Sequence, residues 1–205
     1  LDRKLFLVFD GRNDYGQGAA VLGGLPQATV MAWIDLNDAF SGEGVVVGQE
    51  QFQLRVTAAK NIEVSLNNSS LSYTDTALNT SQWYHVGAVY DGAMLHLYLN
   101  GHKVASSSVT GAIGSDASLL TIGRNPVANT KYFNGKIDEV RIFNVALTDT
   151  QLQRMVYQEI ENNASQVRGA IVPKDIGSLP YADLLRYYRM DAYKDDIIDD
   201  LTTPG

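Results

Sequence analysis

The sequence contains no cysteine among its 205 residues. A disulfide framework and a thiolate zinc site are therefore excluded, while the redox compartment stays open, because a chain this long buries a substantial core without covalent staples. Positive charge is scarce too: 16 Lys and Arg stand against 23 Asp and Glu, a formal net charge of −7. No basic cluster interleaves with aromatics, so the phosphate attraction that drives nucleic-acid binding is missing and nucleic acid is disfavoured as a partner. Long apolar runs are also lacking, and none approaches the ~20 residues that a membrane-spanning helix needs. The chain opens at Leu1 with neither an initiator Met nor a signal peptide, as expected of a piece cut from something longer.

Helical periodicity is absent from residue 4 to residue 143. What stands there is a series of short β-branched and aromatic runs, broken by Gly, Asn, Asp and Ser at the spacing of an all-β sandwich or barrel. The runs are KLFLVF (4–9), ATVMAWI (28–34), GVVVG (44–48), FQLRVTA (52–58), IEVSLN (62–67), YHVGAVY (84–90), MLHLYLN (94–100), LLTIG (119–123) and KIDEVRIF (136–143). YDGAM and LNGHK each carry an Asp-Gly or Asn-Gly dipeptide suited to tight turns, which predicts consecutive antiparallel strands at 84–90, 94–100 and 102–106. After residue 147 the grammar changes. Thr148 and Gln151 have capping-box spacing, and Leu152, Met155, Val156 and Ile160 recur at helical intervals. The expected architecture is a two-sheet antiparallel β-sandwich over residues 1–160 that ends in one short helix. Residues 161–180 read as a linker or surface loop, and 181–205 as a strand-like tail that either opens a following module or supplies an edge strand to this one.

Two stretches bear on chemistry. In GKIDEVRIFN (135–144), a regular strand would send Asp138 and Glu139 to opposite faces, so they would not converge on one substrate bond, and Glu139 would be free to pair with Arg141. KDDIIDD (194–200) matches no calcium-loop template and reads as solvated charge. His85, His96 and His102 lack metal-ligand spacing, and Trp33 and Trp83 sit in apolar context expected to pack inside. The polar half of each alternating strand must look outward, which brings forward Gln53, Arg55, His96 and Tyr98 as groups for a hydroxyl-rich or carboxylated sugar, although solubility alone also asks for polar residues there. The segments at 37–44 and 124–134, expected as loops at the ends of the sandwich, add Phe40, Asn125, Lys131, Tyr132 and Asn134.

SQWYHVGAVYDGAMLHLYLNGHKVASSS, followed by LLTIGRNPVANTKYFNGKIDEVRIFNVALTDTQLQRM, together with FDGRNDY at 9–15 and TVMAWI at 29–34, resembles the laminin-G-like, concanavalin A-like jelly-roll family over roughly residues 4–158. The resemblance implies two face-to-face sheets with the first and last strands side by side. It also implies a calcium ion held by Asp10, Asp14 and Asp138, with Asp138 the foremost side-chain ligand. LLRYYRMD (184–191) resembles the opening strand of such a module, displaced to the end of this chain. Glucanases of this broad fold carry Glu-x-Asp-x-x-Glu or Glu-x-Asp-x-Glu on one strand, and no stretch here does, which disfavours a hydrolase. The function implied is a non-catalytic polysaccharide- or glycan-binding module of a larger secreted or surface protein, placed outside the cell or on its surface. The alternative is a structural or adhesive repeat that contacts other proteins or neighbouring modules of the same chain.

Overall fold

The computed structural model describes residues 5–194 and 196–202, without the side chains of 192–194. In chain order the strands are β1 Leu7–Asp10, β2 Gly16–Gly18, β3 Ala28–Leu36, β4 Gly44–Gln49, β5 Phe52–Val56, β6 Ile62–Leu66, β7 Ser69–Ser72, β8 Trp83–Tyr90, β9 Met94–Leu99, β10 His102–Ser108, β11 Leu120–Ile122 and β12 Asn134–Phe143. The helix α1, Asp149–Met155, follows, then β13 Ile160–Asn163, β14 Gln166–Gly169, β15 Lys174–Pro180, β16 Leu184–Lys194 and β17 Ile197–Asp200. One sheet runs β10-β9-β8-β3-β12-β16-β17 with β1 also on β12, and a second runs β2-β11-β4-β5-β6-β7. The predicted antiparallel sandwich is the fold. The hairpin turns fall where the dipeptides place them: Asn100 and Gly101 both take positive φ (51° and 82°) between β9 and β10, and Asp91 Oδ1 accepts from the amides of Ala93 and Met94 between β8 and β9.

Burial along the strands shows how the layers differ. In β6, Ile62, Val64 and Leu66 are buried while Glu63 and Ser65 are only half-buried, the alternation of a sheet with one face toward the core. All nine residues of β3 are buried, so both faces of the larger sheet are covered near its centre. Val30, Ala32, Ile34 and Leu36 enter the core between the sheets, whereas Met31 and Trp33 enter a second core with Leu152, Met155, Val156, Val167, Ile176 and Leu179. Residues 161–180 are therefore no linker. They belong to a three-stranded antiparallel sheet, β13-β14-β15, that together with α1 roofs the outer face of the larger sheet. The turn that opens this sheet is Ala164-Ser165, both at positive φ, a pair without Gly or Asn-Gly to announce a hairpin. Trp33 is buried as expected, though in this second core, with Nε1 donating to the Val156 carbonyl at 2.9 Å. The capping box predicted at Thr148 and Gln151 is present and starts α1.

The tail folds back. β1 pairs with residues 134–137 of β12 and β16 with residues 140–143, while β3 runs along the opposite side of β12. The first strand and the tail thus share one edge of β12 end to end, and the junction is a bulge: Asp138 opposes Trp33 and Arg141 opposes Met31, so Glu139 and Val140 together face Ala32. Glu139 takes the left-handed conformation, φ 53°. Because of the bulge, Asp138, Glu139 and Arg141 all turn toward the outer face, not to alternate faces as in a regular strand. Arg141 is 1% exposed. Its Nη2 pairs with Glu139 Oε2 at 2.6 Å and donates to the Gln158 carbonyl, and its Nη1 donates to the Met155 carbonyl at 2.9 Å. Tyr187 of β16 donates its hydroxyl to the same Glu139 oxygen at 2.7 Å and sets its ring 5.2 Å from Arg141 Cζ. Burial pushes the Tyr187 hydroxyl well above its ordinary pKa, which keeps it a donor. Leu184 and Tyr187 enter the second core and Met190 the first, so β16 is secured on both faces.

Three outcomes follow for stability. Arg141→Met leaves the buried Glu139 with the Tyr187 hydroxyl and only the more distant Arg189 Nε, 3.9 Å away, and costs about 3 kcal/mol, a fall in Tm of roughly 10 °C at ~2–4 °C per kcal/mol; the double variant Arg141→Met/Glu139→Gln recovers part of it, both read by urea and thermal unfolding. Removing residues 181–205 opens the β12 edge and lowers Tm, with self-association on size-exclusion chromatography; an unchanged Tm would show that β16 is dispensable. The Asp149 carboxyl, at the first turn of α1, is held below its ordinary value first by the Tyr98 hydroxyl and then by Lys103. Its contribution is present above the unfolded value of 3.8 and is lost as pH falls through the lowered one, so Asp149→Asn flattens the acid limb of stability measured across about pH 2 to 5.

Candidate functional site

Because α1 and β13–β15 occupy the outer face of the larger sheet, the outer face of the six-stranded sheet and the loops at its end are where polar side chains meet solvent. On that face β5 presents Gln53 and Arg55, β6 presents Glu63 and Ser65, and β7 presents Ser70 and Ser72, the register pairing Arg55 with Glu63 and Glu63 with Ser72. Arg55 is already committed: Nη2 lies 2.5 Å and Nε 2.6 Å from Glu63 Oε1, and Ser72 donates to the other Glu63 oxygen. Gln53 is buried, its Nε2 donating to the Glu50 carbonyl at 3.3 Å, and it lies over Gly48, where a Cβ would come within 2.6 Å of the Gln53 Cα.

The loop of residues 124–132 borders this face. Its shape comes from Asn125, whose Oδ1 accepts from the amides of Val127 and Ala128 and whose own amide donates to the Thr130 carbonyl at 3.1 Å. The Asn125 side chain is thus spent on the turn. At the far end of the loop the Lys131 carbonyl accepts from Val45 N, across from Arg55, and Lys131 Nζ pairs with Glu43 Oε2 at 2.6 Å. The Lys131 ammonium holds the Glu43 carboxyl below its ordinary pKa. Gly11, Ser41, Gly42, Glu43, Lys131 and Tyr132 together line an open pocket of about 500 Å³. Tyr132 is half-buried beside Phe133, which is fully buried and packs edge-on against Phe40 at 5.9 Å. Phe40 was expected on the rim and is instead in the core; that aromatic pair is what fixes the rim loops to the sandwich.

His96 and Tyr98 do not join this surface. They lie on β9 in the other sheet, facing away from the first core. His96 Nδ1 is 2.7 Å from Ser106 Oγ, and Tyr98 is 1% exposed with its hydroxyl donated to Asp149 beneath α1. Alternation reveals which residues leave the shared core but not which sheet they leave, and it is blind to a helix covering one of them. Lys131 and Tyr132 therefore meet in one pocket, with Arg55 across the Val45 ladder from it, while Gln53 is covered, Asn125 is structural, and His96 and Tyr98 are elsewhere. Ser41 and Glu43 are pocket residues that sequence reasoning did not single out, although the segment holding them had been marked.

The three aspartates do not assemble. Asp10 Oδ1 accepts from the amides of Arg12 (2.8 Å), Asn13 (3.1 Å) and Asp14 (3.4 Å), and Asp14 Oδ2 accepts from Asp10 N at 3.0 Å, a turn closed on itself. The Asn13 and Arg12 amides hold the Asp10 carboxyl below its ordinary value. In register Asp10 faces Asn134, four residues before Asp138, a separation of about 13 Å along the strand at ~3.4 Å per residue. Asp138 is buried, and its Oδ1 accepts from Glu139 N at the bulge. Among the described residues no group of three or more His, Asp or Glu is placed to hold a metal ion. A calcium ion shared by Asp10, Asp14 and Asp138 does not fit this geometry.

Comparison with curated proteins returns no match. Among solved structures, a protein of Bacteroides ovatus ATCC 8483 to which carbohydrate binding has been ascribed superposes with a TM-score of 0.71 at 26% identity, covering 98% of this chain and 56% of that one. The present chain thus spans a little over half the length of that relative. The SAP-like pentraxin of Limulus polyphemus, a heptamer, superposes at 0.63 with 18% identity, over 90% of this chain and 91% of that one. The CBM40 of Ruminococcus gnavus IT-sialidase, bound to α2,3-sialyllactose, superposes at 0.53 with 17% identity, over 68% and 96%. The last two speak to the fold alone. With the two-sheet sandwich in place and the family profile matching residues 10–153, the chain belongs to the concanavalin A-like lectin/glucanase superfamily, as a Laminin_G_3 domain.

Proposed function

We propose that this chain is a non-catalytic polysaccharide- or glycan-binding module of a larger secreted or cell-surface protein, and that it binds through the pocket of Ser41, Glu43, Lys131 and Tyr132 and the adjoining outer face of the six-stranded sheet. The observation that carries this reading is the roof on the other sheet: α1 and β13–β15 bury the outer residues Met31, Trp33 and Tyr98, whereas the pocket stays open and gathers an ammonium, a carboxylate, a hydroxyl and a phenol at one rim. Such a set suits a sugar's dense hydroxyls, with the Tyr132 ring as an apolar surface. The superfamily and the carbohydrate binding ascribed to the Bacteroides relative support the same class.

Two features support binding without hydrolysis. A glycosidase needs one carboxyl kept protonated as general acid and a second facing it across the bond. Here Glu43 is shifted the opposite way by Lys131, and Glu63 is tied to Arg55 and Ser72. The recognition proposed needs no calcium at Asp10, Asp14 and Asp138, because their carboxylates serve the turn and the bulge.

A second reading, an adhesive repeat for protein partners, is favoured by a different feature. A cleft of about 800 Å³ lies between β1, β2 and β17, and Val8 (63%), Tyr15 (44%) and Ile197 (62%) stand exposed along it.

A glycan array followed by affinity electrophoresis separates the two. Selective retention that Tyr132→Ala and Lys131→Ala each weaken by about tenfold, ~1.4 kcal/mol, supports the pocket; their Tm should change little, because the Lys131–Glu43 pair is partly exposed. EDTA should leave binding unchanged. A blank array together with capture of a defined neighbouring module overturns the glycan reading in favour of the second.

A further inference from the structure

Two arginines are buried among the described residues, and their surroundings differ in kind. Arg141 has Glu139. Arg124, 8% exposed, has no carboxylate within ion-pairing distance among the described residues. Its Nη1 donates to Asn129 Oδ1 at 2.8 Å, its Cζ stands 3.7 Å from the centroid of the Tyr15 ring, and its Nε is buried with no acceptor among the described residues. In a chain of net charge −7 this is unusual company for a cation: Arg55, Lys131, Lys136, Arg186 and Arg189 each lie against an Asp or Glu.

A guanidinium withdrawn from water without an anion is an unfavourable arrangement, and a ring face with one neutral amide oxygen offsets only part of it. Arginine offers Nε and an Nη as parallel donors whose spacing matches two oxygens of a carboxylate or sulfate. On Arg124 that pair is Nε and Nη2, and neither donates to an acceptor among the described residues, while Asn129 holds Nη1. Tyr15 fixes the guanidinium plane from one side, and the group covering it from another, Asn129, belongs to the exposed run 127–130 of the loop that ends in Lys131 and Tyr132. An exposed turn residue can withdraw when a stronger acceptor arrives, whereas a buried Glu such as the one facing Arg141 cannot.

We infer that Arg124 is the anion-recognition residue of this module, taking the carboxylate or sulfate of an acidic sugar on Nε and Nη2 as Asn129 and its exposed run draw back, while Tyr15 holds the guanidinium in plane. This rests on the glycan-binding reading and deepens it, since it names the ligand as an anionic glycan. It also moves the carboxylate-binding role from Arg55, which Glu63 already neutralises, to a cation that faces no carboxylate among the described residues.

Affinity electrophoresis of the full chain in gels containing polygalacturonate, its fully methyl-esterified form, dextran sulfate or plain dextran tests this. The first pair differs by the carboxylate charge and the second by sulfate, so the two arms tell the anions apart. The expected result is retardation at least about tenfold stronger with one charged polymer than with its neutral counterpart. That preference is lost in Arg124→Gln and reduced in Arg124→Lys, which keeps the charge but not the parallel donors. Arg55→Gln, by contrast, retains the preference. Tm and circular dichroism of each variant identify a folding defect, and Asn129→Ala, which unpins Nη1 without touching the cation, should strengthen retardation by the preferred polymer. Equal retardation by charged and neutral polymers, or a preference untouched by Arg124→Gln in a folded variant, overturns the inference and leaves the glycan reading standing. No retardation in these gels together with a blank glycan array overturns both.

Discussion

The fold hinges on one buried ion pair. At the bulge of β12, Glu139 is held in a left-handed conformation that a non-glycine residue adopts only when its surroundings compel it. Arg141 and Tyr187 supply that compulsion, one from two residues along the same strand and one from the tail, and they converge on a single carboxylate oxygen. Arg141 then reaches the Met155 and Gln158 carbonyls, so one guanidinium ties the central strand, the end of α1, the start of the three-stranded roof and β16 into a single unit. A charge pair in a dry interior gains little over an apolar replacement of equal shape, but breaking it from one side is severe. Its value here lies in position: it sits at the junction where the edge of β12 passes from β1 to β16, and it holds Tyr187 of β16 there.

That junction determines where function can reside. With the tail docked and the roof closed, the outer face of the larger sheet is filled with Met31, Trp33, Tyr98 and Phe143. In the smaller sheet β6 keeps its alternation, apolar toward the core and polar outward, and the rim loops meet at the Phe40–Phe133 contact. Recognition on rim loops carried by a rigid sandwich is a general arrangement, since the sheets hold the frame while loop residues set the chemistry.

Much of the fold was legible in the sequence because its signals are local. Period-two alternation, Asn100-Gly101 and Asp91-Gly92 turns and the Thr148/Gln151 capping box each act within a few residues, and each produces the element it predicts. The bulge at Glu139 was not legible, since a left-handed glutamate depends on partners two and 48 residues away. Nor was the roof over residues 161–180, whose hairpin turn is Ala-Ser and whose apolar residues acquire a purpose only against α1. In the candidate site, Lys131 and Tyr132 are adjacent in sequence and remained together. Gln53, Arg55, His96 and Tyr98 shared an outward phase but were divided between two sheets.

The sequence by itself determined the principal strands of the two main sheets, the helix start, the acidic balance and the absence of disulfides, because propensity, turn chemistry and composition are properties of short segments. Tertiary structure alone decided which outward faces are covered, that the tail pairs with this domain's sheet, that Asp10 and Asp138 stand apart, and that among the described residues Arg55 faces an anion while Arg124 does not. Each of these depends on distances between residues remote along the chain, and the energy of a charge is fixed by what the fold brings beside it and by how much water the fold removes.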